Sequence, residues 1–198
     1  MNKTTSKPAH TKQDFPVIGI GASAGGLDAF KRFIKAIPLD SGMAYVIVQH
    51  LAPLHESMLT EILGHTTKIP THTITNNINL APDNIYVIPE NKMLTTSDGV
   101  LKLEERNGAK INRAVDIFFT SLAKVHKRLS VGVVLSGMGT DGTLGLKSIK
   151  DFGGLTFAQD NYTADYKSMP QSAINADTVD FILSPEKIPK KLIDIFGK

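Results

Sequence analysis

Residues 15–26 read FPVIGIGASAGG, a hydrophobic run that passes directly into a turn of small residues. From Leu27 to Ile37, apolar side chains recur three and four positions apart, which is the spacing of an amphipathic helix. The stretch therefore predicts a strand, a tight turn and a helix, with Ser23 on the turn. The pattern G-x-S-x-G around this serine fits the nucleophile elbow of a hydrolase, where a catalytic serine needs an uncrowded backbone.

Two further turns follow hydrophobic runs and supply the other groups of a serine hydrolase. One run leads into His50, and the other, at 131–135, leads into SGMGTDG, residues 136–142. In open α/β sheets ligands bind at the carboxyl ends of the strands, so the three turns can converge there. The sequence thus predicts a site with Ser23 as nucleophile, His50 as base and Asp141 as orienting acid.

Hydrophobic runs alternate with helical spacing along most of the chain. Besides the first strand, strands are predicted at 44–49, 131–135, 155–158 and 179–183, and helices near 26–37, 55–64, 113–126, 142–151 and 170–176 and from residue 185 onward. This alternation predicts an α/β domain with a doubly wound, mostly parallel sheet flanked by helices. Three prolines interrupt residues 65–110, where short apolar runs predict a small antiparallel hairpin within residues 85–103, at one edge of the sheet or over the site.

The amino-acid composition limits the classes of protein to which this chain can belong. The 198 residues are 41% hydrophobic, include no cysteine and carry a formal net charge of +3. Residues 1–14 are polar and basic, which predicts a disordered tail or linker ahead of one catalytic domain at 15–198. A chain without cysteine has no disulfide or thiolate site, and the nearly neutral domain is unlike a nucleic-acid-binding protein. With no apolar stretch of membrane-spanning length and no signal peptide, we expect a cytoplasmic protein that does not insert into membranes.

The first turn also fits a competing interpretation. Gly19, Gly21 and Ala24 satisfy G-x-G-x-x-A, the phosphate-binding fingerprint of dinucleotide-binding domains. Those domains need an acidic residue at the end of the second strand to bind the ribose, and this chain has Gln49 there. We therefore expect no cofactor, and a nucleotide-binding α/β domain in which Ser23 contacts phosphate is kept as an alternative.

Each member of the predicted triad has a structural alternative when it is taken alone. Ser23 is placed to cap the helix that follows it, and Asp141 is placed to cap the helix near 142–151. A lone histidine such as His50 is more often a structural residue than a catalytic one. Their joint placement at three strand ends favours catalysis over three unrelated roles.

The histidines form no metal-ligand pattern. No H-E-x-x-H or similar spacing occurs around any of the six, so the sequence predicts no metal site. The histidines that we expect on the surface are His10, His65, His72 and His126.

Four motifs carry a family resemblance: GIGASAGG at 19–26, VQHL at 48–51, LSGMGTDG at 135–142 and AQD at 158–160. In this order and spacing they resemble the catalytic domain of chemotaxis receptor methylesterases, the CheB type, over about residues 15–189. The resemblance implies a doubly wound α/β domain that hydrolyses γ-glutamyl methyl esters on the cytoplasmic helices of methyl-accepting chemoreceptors. It also implies deamidation of receptor glutamines.

The resemblance assigns roles to single residues. Ser23 matches the nucleophile of the family, His50 its general base and Asp141 its orienting acid. The backbone amide of Met138 is implied as the first donor to the oxyanion, and the amide of His50 as the second.

The chain departs from the family pattern at two points. Many members have threonine directly after the serine, where this chain has Ala24, a residue common in versions fused to the receptor methyltransferase, which this chain therefore resembles most. Stand-alone members carry a phosphorylatable receiver domain, and only 14 residues precede Phe15 here. We therefore expect no phosphorylation control within this chain, which fits either a piece of a larger fusion or an unregulated enzyme, with fused or separate receiver or methyltransferase domains as candidate partners. A catalytically silent domain that only binds receptors is a further alternative.

Overall fold

The structure, a computed structural model, describes residues 14–49, 58–97, 99–105 and 113–197. The strands in these ranges are β1 (Val17–Ala22), β2 (Ala44–Gln49), β3 (Thr71–Thr73), β4 (Ile78–Asn79), β5 (Asn84–Val87), β6 (Lys92–Ser97), β7 (Val100–Glu105), β8 (Ser130–Val134), β9 (Leu155–Gln159) and β10 (Phe181–Leu183). The helices are α1 (Gly26–Lys35), α2 (Leu59–Gly64), α3 (Ala114–His126), α4 (Thr143–Asp151), α5 (Ser168–Asn175) and α6 (Lys187–Phe196).

The main sheet has seven strands in the order β10-β9-β8-β1-β2-β5-β3, and all of its pairs are parallel. The chain starts in the middle at β1, runs outward through β2, and later returns to β8 on the other side of β1. This is the doubly wound arrangement that the sequence predicts. Its topological switch point lies between β1 and β8, which is where such sheets bind their ligands.

A second, antiparallel sheet has the strand order β4-β7-β6. It contains the predicted hairpin, formed by β6 and β7. The apolar run at 85–88 lies elsewhere, because β5 joins the main sheet in parallel with β2 and β3. All four residues of that run are buried, as is typical of a strand covered on both faces. The hairpin packs against α3, and the N–H of Thr96 donates to Ser121 Oγ at 3.0 Å.

The first strand separates two hydrophobic cores. On one face, Ile18 and Ile20 belong to the same buried cluster as Phe30 and Phe33 of α1 and Leu192 of α6. The opposite face of β1 packs against α3, which belongs to the second cluster together with α4 and α5. Helices therefore cover both faces of the sheet.

Glycines on β1 bring α3 close to the sheet. A Cβ atom added to Gly21 would lie 2.4 Å from Val115 Cγ1, and one added to Gly19 would lie 2.8 Å from the ring of Phe119. Such distances are shorter than any van der Waals contact, so only glycine allows this approach. The two glycines of the dinucleotide fingerprint thus have a packing role in this fold.

Several predicted elements are confirmed with small changes in their ends. The described part of the helix predicted near 55–64 begins at Leu59, and β3 and β4 are not predicted from the sequence. Residues 1–13 of the predicted tail lie outside the described ranges, so the domain boundary stays a prediction. Within those ranges, no helix is long and apolar enough to cross a membrane.

Candidate active site

Ser23 lies on the turn between β1 and α1, at the carboxyl edge of the main sheet. Its backbone N–H donates to the carbonyl of Ser136 at 3.0 Å, and its own carbonyl accepts from the N–H of Gly26, also at 3.0 Å. The turn contains Gly25, whose φ of 69° lies in the left-handed region that glycine adopts without strain. Ser23 is therefore held in place by its backbone.

The side chain of Ser23 does not cap α1. The N-cap residue of that helix is Gly25, which makes no side-chain cap hydrogen bond. Within the described ranges, no group accepts a hydrogen bond from Ser23 Oγ. The capping alternative is therefore wrong for Ser23, and its half-buried hydroxyl group has no structural partner there that would compete with a catalytic role.

The loop after β8 lies directly against the Ser23 turn. A Cβ atom added to Gly137 would lie 3.0 Å from Ser23 Cβ, so a larger residue would push the two loops apart. Ser136 anchors this loop, since its N–H donates to Gln159 Oε1 at 2.8 Å and its hydroxyl group donates to the carbonyl of Ala24 at 3.0 Å. The two loops thus form one hydrogen-bonded unit at the switch point.

Three successive backbone amides line the loop after β8. The N–H of Gly137 donates to the carbonyl of Tyr166 at 3.0 Å, and the N–H of Gly139 donates to Ser168 Oγ at 3.1 Å. Between them, the N–H of Met138 donates to no residue in the described part of the chain. An amide that is not already engaged, in a loop packed against a serine, is the kind of donor that an oxyanion hole uses.

Asp141 is buried, with a relative exposure of 6%, and its carboxylate accepts backbone hydrogen bonds. Its Oδ2 atom accepts from the N–H of Val115, and its Oδ1 atom accepts from the N–H groups of Asp116 and Gly142, each at 2.9 Å. Val115 and Asp116 lie in the first turn of α3, where the helix dipole stabilises a negative charge. Asp141 thus accepts N–H groups at the start of a helix, as the capping alternative has it, but that helix is α3 and not α4, whose N-cap is Gly142.

Asp116 is a residue of this region that the sequence analysis missed. Its Oδ1 atom accepts from the N–H groups of Gly142 and Gly145, at 2.9 and 2.8 Å, at the start of α4. Asp116 is also buried, at 8% exposure, although it is an acid next to the apolar residues Val115 and Phe118 of its helix. An acid placed among core positions is the one sequence signal that could have revealed it.

The predicted base, His50, lies outside the described residues, and so do His10 and His55. The strand that leads into His50 is the immediate neighbour of β1, and it ends at Gln49. A Cβ atom added to Gly26 would lie 3.8 Å from Gln49 Nε2, so this strand ends beside the Ser23 turn. The triad roles and the two oxyanion donors stay predictions.

The remaining histidines differ in exposure. His65 and His72 are exposed, as predicted. His126 is not, with an exposure of 7%, because it continues the buried face of α3 formed by Leu122 and Ala123. In the described ranges, no group of three or more His, Asp or Glu side chains is arranged to hold a metal ion.

Comparison with known proteins shows which family the chain resembles. The pattern that defines the CheB methylesterase family matches residues 18–192 of the chain. A Pseudomonas aeruginosa protein named protein-glutamate methylesterase/protein-glutamine glutaminase 3 is 34% identical over 91% of the chain and 54% of its own length. A Leptospira interrogans relative, to which the same two activities are assigned provisionally, is also 34% identical, over 91% of the chain and 94% of its own length.

The fold has a counterpart among solved structures. The crystal structure of the Thermotoga maritima CheB methylesterase catalytic domain superimposes with a TM-score of 0.83 and 30% sequence identity, covering 91% of this chain and 98% of that domain. The chain spans about half the length of the Pseudomonas relative and nearly all of the Leptospira one.

Proposed function

The chain belongs to the CheB methylesterase family, and on this premise we propose that it is a serine hydrolase that removes methyl esters from glutamate side chains of chemoreceptors. The names of its relatives pair this activity with protein-glutamine glutaminase activity, so we include deamidation of receptor glutamines. The observation that carries the proposal is the hydrogen bond between Ser23 N–H and the Ser136 carbonyl. It brings the serine turn against the loop that leads to Asp141.

The proposed mechanism uses Ser23 as nucleophile. His50 accepts the proton of the Ser23 hydroxyl group as Oγ attacks the ester carbonyl, and then donates it to the methoxy oxygen as the C–O bond breaks and methanol leaves. Asp141 accepts a hydrogen bond from the other ring nitrogen and stabilises the imidazolium form. A water molecule, deprotonated by His50, then hydrolyses the acyl-enzyme and releases the glutamate and Ser23. For a glutamine substrate, the leaving group is ammonia.

We assign the Met138 amide as an oxyanion donor, with the amide of His50 as the second. The support is that both neighbouring amides are already bonded while the Met138 N–H donates to no described residue. One such donor typically contributes about 3 kcal/mol to stabilisation of the transition state. The two outer hydrogen bonds would keep this amide in place during the reaction.

The surroundings of Ser23 suit a protein substrate. The loop after β8 carries Met138, with 60% of its surface exposed, and the neighbouring loop carries Tyr166, with 46% exposed. Exposed apolar side chains near a half-buried serine offer a surface on which a receptor helix can dock and present one glutamyl side chain. We place this reaction in the cytoplasm, with receiver or methyltransferase domains, fused or separate, as the regulators.

The test is methanol release from methylated chemoreceptor by the full chain. We expect Ser23→Ala to lose activity to background, while circular dichroism and the melting temperature stay near those of the wild type. The matched control is Ser148→Ala, which removes a hydroxyl group that donates to the Leu144 carbonyl in its own helix and lies 3.4 Å from Thr120 Oγ1 of α3, and it should keep activity within about twofold. Full turnover by Ser23→Ala would contradict the proposal. Receptor binding without any wild-type turnover would favour the silent domain, and NAD binding would favour the nucleotide-binding alternative.

A further inference from the structure

Asp116 and Asp141 cap each other's helices. The Asp141 carboxylate binds two N–H groups in the first turn of α3, the helix that carries Asp116. The Asp116 carboxyl group in turn binds the N–H groups of Gly142 and Gly145, at the start of the helix that follows Asp141. The position of one acid is therefore set by the other, although 25 residues separate them in sequence.

The two carboxyl groups lie close together. The N–H of Gly142 is shared between Oδ1 of Asp116 and Oδ1 of Asp141, and each oxygen is 2.9 Å from the nitrogen. The two oxygens therefore cannot be farther apart than twice that distance. Two negative charges at such a separation in a buried site repel each other strongly, so one of the two groups tends to keep its proton.

The hydrogen bonds indicate which group keeps it. Asp141 accepts three backbone N–H groups on its two oxygens, and bonds of this kind stabilise a carboxylate. The backbone bonds of Asp116 converge on Oδ1 alone. Burial, followed by the charge of Asp141 and a hydrogen bond with it, raises the pKa of Asp116 against the opposing effect of its two backbone bonds.

We propose that Asp116 is a positioning residue for the esterase reaction: it holds the Asp141 carboxylate in the orientation that His50 requires, and the pair carries one proton and one negative charge at neutral pH. The role rests on the proposed function, because Asp116 acts through Asp141. A carboxyl group that keeps its proton adds no second negative charge next to the Asp141 carboxylate.

A surface groove of about 530 Å³ beside α3 gives Asp116 access to water, which proton exchange requires. The other charged groups along it are Arg113, which directly precedes α3, and Lys124, which lies within α3. The facing elements contribute the hydroxyl groups of β6 and the apolar side chain of Leu144 from α4. Within the described residues, Asp141 is thus the charged group that faces Asp116 from another element.

Two variants of the full chain separate a positioning role from a merely structural one. Asp116→Asn imitates the protonated acid in size and charge, so we expect kcat within about threefold of wild type and an unchanged acidic limb in the pH profile of kcat/KM. Asp116→Ala removes the acceptor of two N–H groups, and we expect kcat to fall by about tenfold or more with KM nearly constant. The direct readout is the infrared band of a protonated carboxyl group, present in the wild type at neutral pH and lost in Asp116→Asn.

Asp180→Asn is the matched control, because Asp180 also accepts a backbone N–H but lies at the amino ends of the strands. This variant should leave the infrared band and the pH profile unchanged.

The proposal is overturned if Asp116→Asn keeps the infrared band or lowers the pKa of the acidic limb by roughly half a unit or more, since Asp116 would then be charged. Wild-type kcat in Asp116→Ala would also overturn it. If Asp116→Ala does not fold, Asp116→Asn alone decides. The infrared result does not depend on turnover, so failure of the proposed function, seen as full activity of Ser23→Ala, is distinguishable from failure of the pair.

Discussion

Acidic side chains are held in different ways at the two ends of the main-sheet strands, the carboxyl edge and the amino edge. At the carboxyl edge, Asp116 and Asp141 accept backbone N–H groups from the starts of two helices. At the amino edge, Asp180 accepts the N–H of Thr156 and pairs with Lys150 Nζ at 2.9 Å. The lysine and Thr156 hold the pKa of Asp180 below its ordinary value against the opposing effect of burial, whereas burial raises that of Asp116. The acid at the amino edge thus pairs with a lysine, whereas backbone amides hold the two acids at the carboxyl edge.

The strongest test of this contrast replaces one acid at each edge. In Asp141→Asn the side chain keeps its size but cannot stabilise imidazolium, and we expect kcat for methanol release to fall by about 10⁴-fold. In Asp180→Asn we expect activity within about twofold of wild type, because an exposed ion pair contributes about 1 kcal/mol or less to stability. Steady-state kinetics and thermal unfolding of both variants measure this. Equal losses of activity in Asp141→Asn and Asp180→Asn would show that the acids at the two edges do not differ in their importance for catalysis.

A second test concerns the far end of α3, where His126 is buried. Burial lowers the pKa of His126 to about 4, and within the described residues its Nε2 atom has no hydrogen-bond partner. The unfolded chain binds a proton near pH 6.5 and the folded one only near pH 4, so the free energy of unfolding falls as the pH drops through this window, by about 3 kcal/mol.

Denaturant unfolding at pH 7, 5.5 and 4 measures this loss. We expect His126→Leu to remove most of it, and His65→Leu, which changes an exposed histidine, to retain it. If the wild type and His126→Leu lose stability in parallel, the pH sensitivity comes from elsewhere in the protein.

The smallest expected effect tests how the carboxyl edge is built. Alanine at Gly21 would press its Cβ against Val115 and shift α3, so we expect a loss of about 2 kcal/mol in the free energy of unfolding. Because Val115 N–H holds Asp141, kcat should also fall, by roughly tenfold. The control is Gly64→Ala, where the nearest atom, in Thr71, is 3.8 Å away. Unchanged kcat in a destabilised Gly21→Ala would show that the approach of α3 does not position the site.

The strand, turn and helix around Ser23 were predictable because the pattern that specifies them is local. The edge strand β3 and the short β4 were not, since their few apolar residues give no periodic signal. The exposure of His126 was predicted wrongly because its burial comes from the face of α3 on which it lies. Asp116 was not predicted as a site residue because its partners at the start of α4 are 26 and 29 residues away in sequence. They come near it through close glycine contacts between β1, α3 and α4.

The central claim is that Ser23 and His50 act as one catalytic unit, and a double-mutant cycle on methanol release tests it most directly. We expect Ser23→Ala and His50→Ala each to reduce kcat to a similar residual rate. The double variant should be no slower than either single one, because groups that act as a unit are lost together. If instead the two losses multiply, the residues act independently and the account is contradicted.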